Sequence, residues 1–311
     1  MSMKNIKILA TAVVRSAEKK RCHGALYLID PETDTFKQLL RYKDTFGIKS
    51  FRPRGGERGL KGIAFYKDKI YIAAAKKIAI FNKNFEEVDY LTDPFMRSNH
   101  EIKIENDLLY TTVARTNCIL IFDLISKKCI KRYYLSSRLK MGLPKIHDYS
   151  DYNSSFTRPD TWHLNNIHIE GDKLYVSGAK MPWLLYIQDN KLFKYADILG
   201  INHNVQPYKG GVFLNYTGED IIAHTDLKGN IISKWNVPRY PKKDLKNSNI
   251  PEDFARQAFG RGLCFYKDYI IAGSSPATVS IYKKDQEDPI KSINLTMDVR
   301  YAIHGLEVME I

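Results

Sequence analysis

The sequence contains few cysteines and lacks the signatures of several common enzyme classes. Only four of its 311 residues are cysteine, and no two of them form a Cys-x-x-Cys pair. Cys118 and Cys264 lie in strand-like apolar runs, where reduced, buried thiols are expected. A Gly-x-Ser-x-Gly elbow, a His-Glu-x-x-His zinc motif and a dinucleotide-binding glycine fingerprint are all absent. These absences argue against a disulfide scaffold, an α/β-hydrolase, a zincin protease and a Rossmann dehydrogenase.

Long hydrophobic runs are missing as well. The apolar run Ile8–Val14 is ended by Arg15 and lacks the small-residue cleavage pattern of a signal peptide. No segment approaches the roughly 20 apolar residues that a membrane-spanning helix needs. Because the thiols are also expected to be reduced, the sequence predicts a cytoplasmic protein without a membrane span.

The sequence has fewer negative than positive charges, with 35 Asp and Glu residues against 48 Lys and Arg residues, which gives a net charge of +13. A field of this sign attracts acidic ligands. The basic residues are dispersed, with Lys19–Arg21 as the longest uninterrupted run, so we do not expect a nucleic-acid partner. We expect an anionic small molecule or glycan substrate, although a solvated lysine-rich surface explains the charge equally well. The sequence leaves the oligomeric state open.

What the sequence does contain is a repeat. The segment Lys61–Ala73 recurs almost unchanged as Arg261–Ala272, and looser copies begin at His100, Asn165 and at two further histidines, His203 and His304. Internal repeats of this length are typical of propellers and solenoids. The 20 tyrosines and the frequent isoleucine, valine and threonine favour strands over helices.

Each copy supplies four short apolar runs separated by turn residues, which is the pattern of antiparallel blades. The second copy shows it most clearly, with runs at His100–Glu105, Leu108–Ala114, Cys118–Leu124 and Cys129–Leu135. The repeat therefore predicts an all-β chain whose copies each form one four-stranded sheet.

The sixth copy is divided between the two ends of the sequence. His304–Met309 supplies its first strand, and Ile6–Val13, Gly24–Ile29 and Thr35–Leu40 supply the other three. A ring of blades removes its exposed edges by closing on itself. We therefore predict a six-bladed β-propeller, one domain over residues 1–311, closed one-plus-three by the terminal strands. In this architecture the chain resembles the six-bladed propeller superfamily over its whole length, without a motif that identifies one family.

The repeat also defines six equivalent polar positions, each two residues before the first apolar residue of a blade's first strand. They are Lys61, His100, Asn165, His203, Arg261 and His304. The histidines are about a hundred residues apart and occupy alternate blades. The other three follow long connections, roughly Tyr42–Leu60, Ser136–Leu164 and Pro238–Gly260. Because the first strands of a propeller line its channel, we expect these residues at one channel mouth below the long loops.

Three interpretations of these positions remain open. In the first, His100, His203 and His304 bind a divalent transition metal such as Zn, Mn or Fe, which fixed cations at Lys61 and Arg261 would oppose. In the second, no cofactor is present and the basic side chains form an anion pocket in which a histidine acts as general acid or base. In the third, these side chains only hydrogen-bond the backbone between blades.

From these positions we predict an enzyme, a lyase or hydrolase with or without a metal, that acts on an anionic small molecule or glycan fragment. The three histidines would bind the metal or transfer protons, and Lys61, Asn165 and Arg261 would hold the acidic group. The alternative is a non-catalytic propeller that binds a protein, nucleic acid or glycan through its top face.

Weaker candidates lie in the long loops and beside the equivalent positions. His163, two residues before Asn165, is a candidate substrate ligand, as is Arg58 in an Arg/Gly-rich loop. Calcium-dependent propeller lactonases are similar in architecture but place carboxylates and asparagines at the channel mouth. Apart from Asn165, only Glu101 and Asn204 are of that kind here, so we do not expect lactonase activity.

Overall fold

The structure, a computed structural model, describes residues 3–18, 20–43, 59–136, 142–152, 154, 159–198 and 200–310. In these residues strands predominate, and the two helices are single 3₁₀ turns at Ala114–Thr116 and Lys242–Asp244. The first strands are β1 (Ile6–Val14), β2 (Gly24–Asp30), β3 (Thr35–Tyr42), β4 (Ile63–Tyr66), β5 (Lys69–Ala73), β6 (Ile78–Phe81), β7 (Glu87–Leu91), β8 (Asn99–Glu105), β9 (Leu108–Val113), β10 (Cys118–Asp123), β11 (Lys128–Ser136) and β12 (Lys145–Asp148). The remaining strands are β13 (Leu164–Glu170), β14 (Lys173–Gly178), β15 (Trp183–Gln188), β16 (Lys191–Asp197), β17 (His203–Tyr208), β18 (Gly211–Tyr216), β19 (Ile221–Thr225), β20 (Ile231–Asn236), β21 (Leu263–Tyr266), β22 (Tyr269–Ser274), β23 (Thr278–Lys283), β24 (Lys291–Asn294) and β25 (Tyr301–Glu310).

The described strands form six sheets, and the fold is that of an all-β six-bladed propeller, as the repeat predicts. Five sheets follow the chain order, with β4 to β7, β8 to β12, β13 to β16, β17 to β20 and β21 to β24 as successive neighbours. The sixth has the order β25-β1-β2-β3. Strand β25 pairs antiparallel with β1 from Ile6↔Glu310 to Val14↔Tyr301, with a register shift between Thr11 and Ala12. The predicted one-plus-three closure is therefore confirmed.

One strand lies where the sequence pattern predicts only a long loop. β12 pairs with β11 from Tyr133↔Asp148 to Ser136↔Lys145 and makes the second sheet five-stranded. Its sequence, Lys-Ile-His-Asp, has no alternating apolar pattern. The strand satisfies the outer edge of β11 through backbone hydrogen bonds, which side-chain periodicity does not report.

The chain divides into two compact units. Unit 1 contains Met1–Ile63, Asn215–Ile222 and Lys234–Ile311, and unit 2 contains Ala64–Leu214 and Ala223–Ser233. Residues of the sheet β17 to β20 belong to both units. The single domain over residues 1–311 stays a prediction. Among the described residues, no helix combines the length and apolar character needed to cross a membrane.

In unit 1, apolar side chains of two sheets pack face to face. Ile8 and Ile29 from the closing sheet share one buried cluster with Ile271 and Val279 from the sheet β21 to β24. β1 is buried along nearly its whole length, whereas the edge strand β3 is mostly exposed. Ile303 and Leu306 of β25, which lie close to His304 in the sequence, belong to the same buried cluster, so the strand that carries His304 is part of this packed core.

In unit 2, His168 is a half-buried residue of β13, between Ile167 and Ile169. Its ring lies 6.1 Å from that of Tyr175, its cross-strand partner. Burial, with a smaller contribution from the charge of Lys103, lowers the pKa of His168 to about 4.

We expect this histidine to make the protein less stable in acid. Between pH 6.5 and about 4 the unfolded state binds a proton that the folded state refuses, so stability falls as the pH falls through this window. The loss amounts to at most about 3 kcal/mol. Urea unfolding at pH 7.5 and pH 4.5 should show a smaller loss for His168→Phe than for the wild type. The control is His147→Phe, which replaces an exposed histidine. An equal loss of stability in His168→Phe and in the wild type would contradict the assignment.

Candidate functional site

In unit 1, three of the six equivalent positions form one basic cluster, Lys61, Arg261 and His304. Lys61 and Arg261 stand two residues before β4 and β21, and His304 lies within β25. All three are buried, with 0%, 7% and 2% of their surfaces exposed. Burial limits screening by water, so the charges of this basic cluster act strongly on one another and on anything bound there.

Lys61 and His304 are held together through Thr11. The buried Thr11 hydroxyl donates to the Lys61 carbonyl oxygen and accepts the backbone N–H of Gly305 at 2.9 Å. Gly305 allows this close approach, because a Cβ atom there would lie 2.3 Å from the Lys61 carbonyl oxygen. Thr11 lies at the register shift between β1 and β25, so the strand that closes the sheet also positions the basic cluster.

Arg261 is positioned by backbone contacts and by an aromatic ring. Its N–H donates to the Gly273 carbonyl oxygen at 2.8 Å. The next residue, Gly262, has φ +74°, and a Cβ there would lie 3.3 Å from the His304 carbonyl oxygen. The guanidinium carbon of Arg261 lies 4.4 Å from the ring centroid of Phe259, a cation–π contact. These contacts bring Arg261 next to the strand that carries His304.

His304 is an uncharged base among cations. Burial lowers the pKa of His304 well below its usual value, and the charges of Arg261, Lys61 and Arg15 lower it further. At neutral pH the imidazole is therefore neutral and able to accept a proton. The same positive charges disfavour a metal cation at this position and favour an anion.

Unit 2 contains the equivalent positions His100, Asn165 and His203, all buried. The loop histidine His163 lies beside the first of them, with ring centroids 5.1 Å apart and an interplanar angle of 72°. Nδ1 of His163 is 2.7 Å from Oδ2 of Asp160. A carboxylate in this position selects one tautomer and orients the ring.

The pair of Asp160 and His163 is built into a constrained turn. His163 has φ +52°, in the left-handed region that non-glycine residues rarely occupy. Gly178 allows this turn to approach β14, because a Cβ there would lie 2.3 Å from the Trp162 carbonyl oxygen. Burial raises the pKa of Asp160, but the hydrogen bond and charge of His163, with Lys180 and Arg115, outweigh this effect and lower it overall.

Asparagine side chains connect the first strands within unit 2. Nδ2 of Asn204 donates to Oε2 of Glu101 at 3.1 Å, and Nδ2 of Asn165 donates to the Asn202 carbonyl oxygen at 2.8 Å. The second contact is the backbone role that the third interpretation predicts, and it applies to Asn165. The Oδ1 atom of Asn165 is buried and has no hydrogen-bond partner among the described residues.

The structure thus places the predicted residues in two groups. It brings Lys61, Arg261 and His304 together in unit 1, and His100 and His163 together in unit 2. A metal site shared by His100, His203 and His304 stays a prediction. Within the described ranges, no group of three or more His, Cys, Asp or Glu side chains is placed to hold a metal ion. Arg58 lies outside the described residues.

Sequence reasoning missed four residues that position this chemistry, Thr11, Arg15, Asp160 and Phe259. Asp160 stands three residues before His163, a spacing that could have indicated the pair. Phe259 stands two residues before Arg261, a spacing that could also have indicated their contact. Thr11 and Arg15 act across long sequence separations, and the hydrogen bond from Gly305 to Thr11 spans 294 residues. No local pattern reports the contacts of Thr11 and Arg15.

Comparison with known proteins supports the fold and leaves the function open. No protein-family model matches the chain, and neither does any curated protein. A protein of unknown function from Bacteroides caccae is similar in structure, with 11% identity and a TM-score of 0.58 over 99% of this chain and 100% of its own. The computationally designed Ika8 protein matches at 8% identity and a TM-score of 0.49, over 100% and 95% of the two chains. A catalytically inactive virginiamycin B lyase from Staphylococcus aureus with quinupristin matches at 12% identity and a TM-score of 0.41, over 74% of this chain and 72% of its own.

Proposed function

We propose that this protein is a lyase that eliminates a leaving group from an anionic small molecule or glycan fragment bearing a carboxylate. Lys61 and Arg261 bind the carboxylate, and His304 removes the proton from the adjacent carbon. The observation that supports this proposal is the neutral, buried imidazole of His304 beside two cations.

The residue types suit the chemistry of elimination. Removing a proton next to a carboxylate moves negative charge onto the carboxylate oxygens, and fixed cations stabilise that charge as it develops. The carbon–hydrogen bond breaks, its electron pair forms a carbon–carbon double bond, and the bond from the β-carbon to oxygen breaks. The proton goes to His304, and the leaving oxygen takes a proton from solvent. Arg261 is suited to a planar carboxylate because its guanidinium can donate two parallel hydrogen bonds.

The first test is turnover of defined anionic probes by the purified protein. Uronic-acid oligosaccharides and small β-substituted carboxylates are the probes, and the new conjugated double bond is followed by its ultraviolet absorbance. We expect Lys61→Met and Arg261→Gln each to lower kcat/KM about a hundredfold or more, because each removes a cation that stabilises the transition state. Lys67→Met, a surface lysine of the same repeat, is the matched control.

The outcomes distinguish the competing functions. Cleavage without the double bond would identify a hydrolase instead of a lyase. Binding without conversion would support the non-catalytic propeller. Wild-type turnover in both Lys61→Met and Arg261→Gln would contradict the roles assigned to these two cations. Thermal unfolding of each variant shows whether it still folds.

Binding of a divalent transition metal by His100, His203 and His304 remains part of the proposal as its metal-assisted form. Metal analysis of the purified protein tests it directly. A transition-metal content below about a tenth of an equivalent, unchanged in His203→Ala, would remove the metal and leave the anion cluster as the site.

A further inference from the structure

The Phe259 ring contacts two guanidinium groups of unit 1. Its centroid lies 4.4 Å from the guanidinium carbon of Arg261 and 5.1 Å from that of Arg256. Both distances are within the roughly 6 Å over which an aromatic ring attracts a cation. Arg261 belongs to the basic cluster, whereas Arg256 does not. The ring therefore connects the basic cluster to an arginine that the proposed mechanism does not use.

The guanidinium of Arg256 is itself fixed by three acceptors. Its Nη1 donates to Oδ1 of Asp220 at 2.5 Å and to the Gln257 carbonyl oxygen at 3.1 Å. Its Nη2 donates to the Thr217 carbonyl oxygen at 2.7 Å. Thr217 and Asp220 lie in the turn between β18 and β19, so this turn anchors Arg256 from outside its own loop. The ion pair is only 22% and 14% exposed, which limits its screening by water.

The backbone that carries the Phe259 ring is held by the buried Ser275. The Ala258 N–H donates to the Ser275 carbonyl oxygen at 2.6 Å, and the Phe259 N–H donates to the Ser275 hydroxyl oxygen at 3.3 Å. The same hydroxyl donates to the Arg256 carbonyl oxygen. Ala258 has φ +57°, so the chain turns sharply here. These hydrogen bonds give the ring a defined position beside Arg261.

The loop that supplies both residues is attached to two neighbouring strands. It spans residues 238–260, the long connection that enters the blade of Arg261. Its Phe254 carbonyl oxygen accepts a hydrogen bond from Nε of Arg15 at 2.8 Å, and its Gly260 carbonyl oxygen accepts one from the Thr217 hydroxyl at 2.9 Å. Arg15 and Thr217 directly follow β1 and β18. The end of the loop is therefore fixed to the sheets on which it rests.

Elimination needs a guanidinium that stays in one place. An arginine side chain has several rotatable bonds, and a misplacement of the reacting groups by about 1 Å can lower the rate about a hundredfold. Two guanidinium groups on one ring repel each other, and the pairing of Arg256 with Asp220 offsets this repulsion. Arg256 can thus hold the ring without driving Arg261 away.

We propose that Arg256 and Phe259 are positioning residues of the anion site. Arg256, anchored by Asp220, holds the Phe259 ring against Arg261, and the ring fixes where Arg261 places the substrate carboxylate relative to His304. This inference rests on the proposed function, in which Arg261 binds that carboxylate. Without the ring the carboxylate is still bound, but the adjacent carbon is displaced from His304. The loss therefore affects kcat more than affinity.

The first test measures turnover and calorimetric binding of trigalacturonate. We expect Phe259→Leu to lower kcat about tenfold or more while Kd changes less than about threefold. Phe259→Tyr keeps the ring and should retain at least about half of kcat. Arg256→Gln removes the anchor and should lower kcat about threefold or more. Tyr186→Leu is the control, since it removes a ring that contacts Lys173 at 5.2 Å, outside the basic cluster, and should change neither value.

A double-mutant cycle separates positioning from a general structural role. In the Arg261→Gln background, Phe259→Leu should lower kcat/KM by less than about twofold, because the ring then has no guanidinium to hold. A loss equal to that in the wild-type background would overturn the positioning role and identify the ring as structural. Urea unfolding of the four proteins of the cycle shows whether each is folded.

The mobility of the Arg261 guanidinium gives a readout that does not depend on turnover. In protein made with isotope-labelled arginine, the Nε–H signal that Arg261→Lys removes is that of Arg261, and its order parameter is measured by nuclear magnetic resonance. We expect this order parameter to fall in Phe259→Leu and Arg256→Gln but not in Tyr186→Leu. A fall, without turnover by the wild type, supports the positioning role and contradicts the lyase. An unchanged order parameter overturns the positioning role and leaves the lyase standing where turnover occurs.

Discussion

Replacing His304 by glutamine is expected to lower kcat/KM for the anionic probes by about a thousandfold. General base catalysis by a positioned histidine contributes about 10² to 10⁴ to the rate, and glutamine cannot accept the proton. The substitution keeps a polar, uncharged side chain beside Lys61 and Arg261, so we expect the fold and anion binding to survive. Single-turnover kinetics and calorimetric binding separate the two effects. A loss of binding equal to the loss of rate would instead identify His304 as an anion ligand.

The pH profile adds a signature that a structural histidine would not produce. Because its folded-state pKa lies well below that of an ordinary histidine, His304 stays neutral near pH 7, and kcat/KM should fall only at distinctly acidic pH. A bound anion offsets the charges of Lys61 and Arg261, so it raises the pKa in the complex. The acid limb of kcat should therefore lie at higher pH than that of kcat/KM. His147→Gln, an exposed histidine in β12, should retain both limbs.

Replacing Gly305 by alanine is expected to have the largest effect on stability, with a loss of at least about 3 kcal/mol. The added Cβ would lie 2.3 Å from the Lys61 carbonyl oxygen and 2.8 Å from the Thr11 hydroxyl oxygen. Neither position has room to relax, because both are buried and hydrogen-bonded to each other. We expect the pairing of β1 with β25 to be strained where their register shifts, and the basic cluster to be displaced with it.

Urea unfolding and turnover of the same variant measure the two consequences together. Gly171→Ala is the matched control, because Gly171 has φ +59° but open space around it. Its cost should be only about 1 kcal/mol, the price of a left-handed conformation for alanine. If Gly305→Ala were no more destabilising than this control, the close packing of Thr11, Lys61 and β25 would be wrong.

Particular strands show which parts of the fold can be predicted from the sequence. The near-identity of Lys61–Ala73 and Arg261–Ala272 predicts the blades, because each blade is a local pattern of apolar runs and turns. The split sixth copy predicts that β25 joins β1, and this pairing is confirmed. In contrast, β12 escapes prediction because it pairs through its backbone, and its four residues carry no apolar alternation.

The candidate site could likewise be predicted only in part from the sequence. The repeat identifies Lys61, Arg261 and His304 as equivalent, polar and near the start of a blade's first strand. It could not assign their partners, since Thr11 joins residues 50 and 294 positions away. Nor could the repeat show which histidine is suited to act as a base. Burial and neighbouring charges lower the pKa of His304, whereas His163 is hydrogen-bonded to the carboxylate of Asp160.

By itself, the sequence determined the fold class, the terminal closure and the set of polar positions, because repeat period and strand alternation are local properties of the chain. Only the tertiary structure decided which of these side chains meet and which cations surround His304. It also showed that one loop holds both Arg15 and Arg261. The physical reason is that burial and electrostatic interaction depend on distances in space, which folding sets between residues far apart in the chain.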